Sequence, residues 1–314
     1  MKNPNKERIF IQIMKQLSNE LHFSLEFLSY DWIIRVRHKE LVRHIIGYDW
    51  ELNSSTAQLI SKDKSACYEL LKSNEISSVE HKLFLSPHFQ SYISGRGNWL
   101  SLIKYAETNQ YPLICKSNMG TGGNEVFKVT NQVELESHVH LLFSKHRGIC
   151  LSPFYDIKNE YRVILLSGEA HLVYVKQKPH ITGDGINTVV ELINKNYDVL
   201  SLADFELQNI DLEMILPLGR KLELGWKHNL AKGSQAIIID DVSLKEKLIA
   251  FAINAAKAIN ITFASVDIVE VGDQLLIMEI NSGIMMENFA QQSEKTFHLA
   301  KEIYKSALVK MMEL

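Results

Sequence analysis

Apolar and polar positions change period several times along the chain, and each change marks an element. Residues Met1 to Leu21 place Ile9, Ile11, Ile13, Met14 and Leu17 among Lys6, Arg8, Lys15 and Glu20, the spacing of an amphipathic helix. Residues 23 to 55 alternate and read as short strands with turns. Ala57, Leu59, Ile60, Ala66, Leu70 and Leu71 predict a helix over 57–72. Pro87, Gly95 and Gly97 make 86–99 the best candidate for a linker. From residue 111 strands and helices alternate: a strand at Leu113–Lys116, a glycine loop, a strand at Val126–Val129 and a helix from Asn131 to Ser144. Tyr161–Leu166 and His171–Lys176 flank Ser167–Gly168, the signature of a hairpin. Thr188 with Glu191, and Ser243 with Glu246, are spaced as capping boxes opening two helices. Strands Thr262–Val271 and Gln274–Ile280 join through Gly272–Asp273, and Met285 to Met312 continues as one long helical pattern. Hairpins mixed with helices favour an α+β class over an all-parallel sheet.

Composition narrows the function classes. With 314 residues, 34 basic against 37 acidic side chains and a net charge of −3, no global basic field points to nucleic acid or an anionic membrane. The 3 cysteines, Cys67, Cys115 and Cys150, are far apart and show no CxxC spacing, so no disulfide scaffold is expected. The N-terminal helix lacks the unbroken apolar run of a signal peptide, and no apolar window is long enough to span a bilayer. A cytoplasmic protein is expected.

Four clusters could carry chemistry. Lys116 is followed by Gly120, Gly122 and Gly123, a loop whose N–H groups can approach phosphate closely, or equally a glycine-rich hairpin turn beside a solvated lysine. The order lysine-then-glycines is not a Walker A loop. Glu279 and Asn281 leave one face of a strand, and a hairpin about Gly272–Asp273 can set Asp267 across from them. Such oxygen donors suit Mg²⁺, although acidic residues on a half-exposed strand are common. The apolar company of Leu275, Leu276, Ile277, Met278 and Ile280 implies burial, and buried carboxylates need a cation. His228 to Ser234 could bring Asn229 and Lys232 to an anion, or form an ordinary loop. Arg162 and Lys176, on adjacent strands, could share a phosphate or be edge charges. The twelve histidines show no zinc spacing, and the basic stretch 35–44 beside Trp32 reads as a solvated face.

The order of these clusters resembles the ATP-grasp superfamily of carboxylate–amine ligases, of the cyanophycin synthetase, ribosomal-protein S6 glutamate ligase and glutathione synthetase types. The resemblance covers about residues 57 to 295. "KDKSACYELLKSNEISSVEH" resembles the family's lysine-bearing helix, with Lys64 on the phosphates, and "PLICKSNMGTGG" its strand–lysine–glycine loop. "SPFYDIKNEYRV" resembles the hinge, where adenine rests near Phe154 and Tyr155 ahead of the family arginine, Arg162. "VKQKPHITGDGINTVVELI" carries the basic residue, Lys176. "HNLAKGS" resembles the NLxxGG loop with Asn229, and "VDIVEVGDQLLIMEINSG" the metal segment. Lys232 stands where S6-type ligases carry arginine, Ser234 replaces a glycine, and no proline follows Asn281.

The resemblance implies an ATP-grasp fold, two α+β subdomains gripping ATP, in residues 96–314, with a short N-terminal α/β region in 1–95. It implies nucleotide contacts from Lys64, Lys116, Gly120, Gly122, Gly123, Phe154, Tyr155 and Asn229. Catalytic roles fall to Arg162, Lys232 and Lys176, and Mg²⁺ (Mn²⁺ as the alternative) to Asp267, Glu279 and Asn281. The implied reaction is ADP-forming amide synthesis through an acyl phosphate on amino-acid or peptide substrates, with no nucleic-acid or membrane partner. Acceptor pockets would come from 86–99, 178–210 and 284–293. A small-molecule kinase on the same scaffold and a nucleotide-binding regulator are the rival readings. Leu299, Ile303, Leu308 and Met311 leave homo-oligomerisation open.

Overall fold

The computed structural model describes residues 7–89, 98–197, 205–207 and 210–314. Helix α1 (Ile9–Leu21) leads into a four-stranded antiparallel meander of β1 (Ser24–Leu28), β2 (Ile33–His38), β3 (Leu41–Ile46) and β4 (Asp49–Trp50). Helices α2 (Ser55–Lys62) and α3 (Lys64–Ser73) follow. The single helix predicted over 57–72 is thus two, because Asp63 is extended at φ −95°, ψ 103° and its carboxylate caps Ala66 N–H at 2.9 Å.

An α+β unit comes next. It contains β5 (Lys82–Leu85), α4 (Trp99–Asn109), β6 (Leu113–Ser117), β7 (Val126–Val129), α5 (Gln132–Phe143) and β8 (Gly148–Pro153). Its strands form a second antiparallel sheet in the order β5-β8-β6-β7, with α4 and α5 packed on it through Leu102, Leu135, Val139 and Leu142. Positions 90–97 of the expected linker lie outside the described residues.

The central sheet is built from β9 (Ile157–Leu166) and β10 (Glu169–Gln177), then, after β11 (His180–Thr182), α6 (Val189–Asn196) and β12 (Lys221–Glu223), from β13 (Gln235–Ile238). Helix α7 (Val242–Ala258) precedes its last strands, β14 (Phe263–Val271) and β15 (Gln274–Asn281), and α8 (Glu287–Ala290) and α9 (Glu294–Met311) close the chain. The strand order is β13-β10-β9-β14-β15, antiparallel at each pairing. Ser167 and Gly168 both have positive φ, 52° and 82°, as a tight hairpin turn demands. Two boundaries differ from the sequence pattern. Asp241, not Ser243, caps α7 by accepting Leu244 N–H at 2.9 Å. The C-terminal pattern breaks at Ser293, whose hydroxyl accepts Thr296 N–H and starts α9 afresh.

The central sheet is covered on both faces, which explains the apolar run Val163–Leu166 in the second half of β9. Val163, Leu165, Ala264, Val266 and Ile280 pack under α2, α3 and α7. Ile164, Leu166, Leu172, Tyr174 and Phe263 face α1, the N-terminal meander and α9. Residues 9–50 therefore share one core with residues 164–312. Glu287 ties the two stretches by hydrogen bonds as well. Its carboxylate accepts Ile9 N–H at 2.8 Å and Phe10 N–H at 3.1 Å, at the start of α1, and the Tyr48 hydroxyl at 3.0 Å. An anion at a helix N-terminus satisfies donors that have no partner within the helix. Burial, and then Glu287, push the Tyr48 hydroxyl up to about 12, so it remains a donor. Glu287→Ala should lower the unfolding free energy by about 1–3 kcal/mol in chemical denaturation, and Glu287→Gln by less.

Candidate active site

Period-two alternation places the charged groups. On the face where Leu166 and Ile164 are core, the next outward positions of β9 are Arg162 and Glu160; on β14, Phe263 and Ser265 are followed by Asp267; on β10, Leu172 and Tyr174 by Lys176. Register then aligns them. Arg162 is opposite Asp267, Asp267 opposite Glu279, Lys176 opposite Glu160, and Ser265 opposite Asn281. A bulge in β15 fits two residues, Met278 and Glu279, between the core positions Ile277 and Ile280, and both line the cavity.

The Arg162 guanidinium donates twice to Asp267, Nε to Oδ1 and Nη2 to Oδ2, both at 2.6 Å. Lys176 Nζ lies 2.9 Å from Asp267 Oδ2 and donates also to Glu160. Burial alone would raise Asp267; the Arg162 and Lys176 charges outweigh it and hold the carboxyl below its usual range. Burial, with Asp267 nearby, leaves Glu160 raised against the pull of Lys176 and Arg162. Lys176 is raised: burial and Arg162 act to lower it, and Asp267 and Glu160 prevail. The group is therefore a buried, mutually neutralising network with fork-to-carboxylate geometry.

The second sheet supplies the opposite wall. Leu113 and Cys115 of β6 enter its core, so Ile114 and Lys116 face the cavity. Burial lowers the Lys116 ammonium. The glycine loop bends through Gly122 and Gly123 at φ 70° and 67°. A Cβ on Gly123 would meet Asn229 Nδ2 at 2.8 Å, and that amide donates to Gly122 O at 2.8 Å. Lys64 Nζ donates to Gly120 O at 2.5 Å and lies 3.4 Å from Glu279 Oε1. Asn118 joins the two units, its carbonyl accepting Lys64 N–H and its side-chain oxygen Ser65 N–H.

The cavity between the sheets measures about 540 Å³. Among the expected residues, Lys116, Gly122, Gly123, Phe154, Tyr155, Arg162, Lys176, Asn229, Asp267, Glu279 and Asn281 line it; Lys64, Gly120 and Lys232 do not. Lys64 and Gly120 touch each other behind it, and Lys232 ends the short 3₁₀ turn Leu230–Lys232. Sequence reasoning missed Glu160, which completes the ion network, and Trp226, whose ring meets Phe154 edge-on at 5.6 Å. It also missed Trp32, Ile46, Asp49 and Lys62, because alternation in the N-terminal strands does not tell which cavity they border. Much of the basic 35–44 stretch is paired with acids: Arg35 with Glu26, His44 with Glu51 and Arg43 with Glu313. Asp267, Glu279 and Asn281 all line the cavity and carry oxygen donors of the kind a hard cation takes, with Asp267 held by Arg162 and Lys176 and Glu279 lying 3.4 Å from Lys64. Among the described residues, no three histidine, cysteine or acidic groups make a self-sufficient metal cage.

Two sheets gripping such a cavity define the ATP-grasp fold. The chain superposes on the bifunctional glutathione synthetase of Pasteurella multocida with a TM-score of 0.59 at 15% identity, over 96% of this chain and 44% of that one. On the D-alanine–D-alanine ligase of Bacillus anthracis the TM-score is 0.55 at 15% identity, over 83% and 68%. The profile of the RimK-like ATP-grasp domain matches residues 202–306. In sequence the chain is similar to the glutathione biosynthesis bifunctional protein GshAB of Streptococcus mutans, 25% identical over 52% of this chain and 24% of that protein. It is also similar to cyanophycin synthetase of Synechocystis sp., 27% identical over 57% and 23%. The chain thus spans about a quarter of the length of these curated relatives. Among the described residues, no helix is long and apolar enough to cross a membrane.

The pH dependence of stability follows from His228, beside the ion network. Burial, then Lys178 and Lys176, lower its imidazole to about 4 from an ordinary value of 6.5, and buried His81 is lowered too. The unfolded chain takes up a proton on each below about pH 6.5 while the folded chain resists, so acid favours unfolding. Unfolding free energy should fall between pH 6.5 and 4 by up to about 1.4 kcal/mol per pH unit for each histidine. In urea titrations across that range, His228→Asn should flatten the slope.

Proposed function

We propose that the chain is an ATP-dependent carboxylate–amine ligase that forms an amide bond through an acyl phosphate and releases ADP and phosphate. The observation that carries this reading is the facing of Lys116 and the glycine loop, on one sheet, against Arg162, Lys176, Asp267 and Glu279 on the other. The relatives' names, which speak of glutathione biosynthesis and cyanophycin synthesis, agree with it, as does a Bacillus anthracis D-alanine–D-alanine ligase structure complexed with ATP.

The chemistry sets two problems. A substrate carboxylate must approach the γ-phosphate, and both are anions. Lys116 and Lys176 offset that repulsion, and Lys116 does so from a buried position where a charge is poorly screened. Arg162 is already oriented by Asp267, so it meets developing charge without reorganising. The adenine ring would lie at the Phe154, Tyr155 and Trp226 end, where the lining is aromatic. Asp267, Glu279 and Asn281 would hold Mg²⁺, which when bound supplies further positive charge to the phosphates. The second problem is attack by the amine on the acyl carbon, which builds an oxyanion. Arg162 lines the cavity and Lys232 does not, so Arg162 takes that role. The glycine loop covers the phosphates and keeps water from the acyl phosphate.

Product analysis with Mg²⁺-ATP tests the reading. ADP and phosphate should appear only when a carboxylate and an amine substrate are both present. ADP without free phosphate, with an alcohol as acceptor, would make the protein a kinase instead. Lys116→Ala should reduce ADP release by about 100-fold or more with the circular dichroism spectrum unchanged. Glu279→Gln should raise the Mg²⁺ concentration needed for half-maximal rate; an unaltered Mg²⁺ dependence would remove Glu279 from the metal set.

A further inference from the structure

The cavity has a second apolar lining, contributed largely by the N-terminal meander. Trp32 and Ile46, from the N-terminal meander, and Met285, between β15 and α8, all line it, with exposures of 53%, 52% and 45%. Single exposed apolar side chains are ordinary on a protein surface. Three lining one cavity favour an apolar occupant.

The wall is fixed in place. Gly47, at φ 63°, lets the Trp32 ring lie against the backbone; a Cβ there would meet ring carbons at 2.8 Å. Tyr48 O accepts Ile284 N–H at 3.2 Å, which joins the meander to the Met285 segment. Arg8 packs near the Trp32 and Tyr48 rings, 5.8 and 5.7 Å from their centroids, and does not line the cavity.

Between this wall and the charged row lies a second feature. Asp49 and Lys62 pair at 2.7 Å, both line the cavity, and their side chains are 26% and 40% exposed. Asp49 also accepts the Ser282 hydroxyl at 2.7 Å. Ser282 follows Asn281, which an extended strand carries about 7 Å past Glu279. A carboxylate and an ammonium side by side match, with opposite sign, the two main-chain charges of an amino acid.

We propose that Trp32, Ile46 and Met285 form the side-chain pocket for one of the two ligated substrates: an amino acid, or the terminal residue of a peptide, with a large apolar side chain, whose non-reacting main-chain charge is held by its opposite at Asp49 or Lys62 while the other main-chain group reacts. The proposal rests on the ligase reading for its chemistry, but binding in the pocket does not require turnover. An acidic side chain is disfavoured, because it would give up hydration for an apolar surface.

The test is calorimetric titration of the full chain, saturated with Mg²⁺ and a non-hydrolysable ATP analogue. The ligands are leucine, phenylalanine, glycine and glutamate, each free and as its homodipeptide. The apolar ligands should bind about 10-fold or more tightly than their glycine and glutamate counterparts. Trp32→Ser and Met285→Ala, made separately, should each shrink that margin without changing the Kd of the nucleotide analogue. Equal or tighter binding of glycine or glutamate, no binding of the apolar ligands, or an unchanged margin in both variants would overturn the pocket. ADP release on the same panel separates the two readings. An apolar binding margin without ADP keeps the pocket and removes the ligase. ADP from glutamate pairs with no apolar margin does the reverse.

Discussion

The site hangs on one carboxylate. Asp267 is buried in the middle of the central sheet, and Arg162 and Lys176 converge on its two oxygens. None of the three would be tolerated there singly, since an unpaired charge in so dry a place costs several kcal/mol. Together they cancel most of that cost, and in doing so they fix one another. The guanidinium cannot swing without giving up both of its bonds to Asp267 and leaving that carboxylate to Lys176, and the ammonium is held between Asp267 and Glu160. The proposed reaction places anions beside cations whose positions are set before any ligand arrives.

The same sheet face that is core under α1 and α9 becomes the floor of the site two residues further along each strand. Ile164 gives way to Arg162, Tyr174 to Lys176, and Phe263, by way of Ser265, to Asp267. That is why the N-terminal meander and α9 matter to the chemistry: they bury the apolar half of the face and hold the strands whose other halves carry charge. The hairpins at Ser167–Gly168 and Gly272–Asp273 were legible in the sequence, and alternation gave the faces of their strands. Asp267 does sit across from Glu279, as the second hairpin allowed, but only through a bulge, since strict pairing from the turn would set Asp267 opposite Met278; a bulge near Ala170 likewise brings Lys176 opposite Glu160 instead of Asn159.

What was not legible depended on local backbone choices that periodicity does not record. Asp63 and Ser293 each interrupt an apolar pattern that continues past them, because a short polar side chain caps the next helix better than it extends the last. The bulge brings Glu279 to the cavity face of β15 beside Met278, where strict alternation from the turn would put only Met278. Trp32, Ile46 and Asp49 reach the cavity only because residues 9–50 pack into the core of the C-terminal half. That contact spans more than two hundred residues of chain, and no local pattern encodes it.

The glycine loop shows how such a site stays ordered. Lys64 donates to Gly120 O, and Asn229 to Gly122 O, so the loop is clamped at two carbonyls by groups from different parts of the chain. Lys64, which does not line the cavity, sits between Gly120 O and Glu279, so the same ammonium ties the loop to the central sheet. With positive φ at Gly122 and Gly123, the backbone turns where a Cβ on Gly123 would collide with the Asn229 amide, so the second clamp depends on glycine at that position.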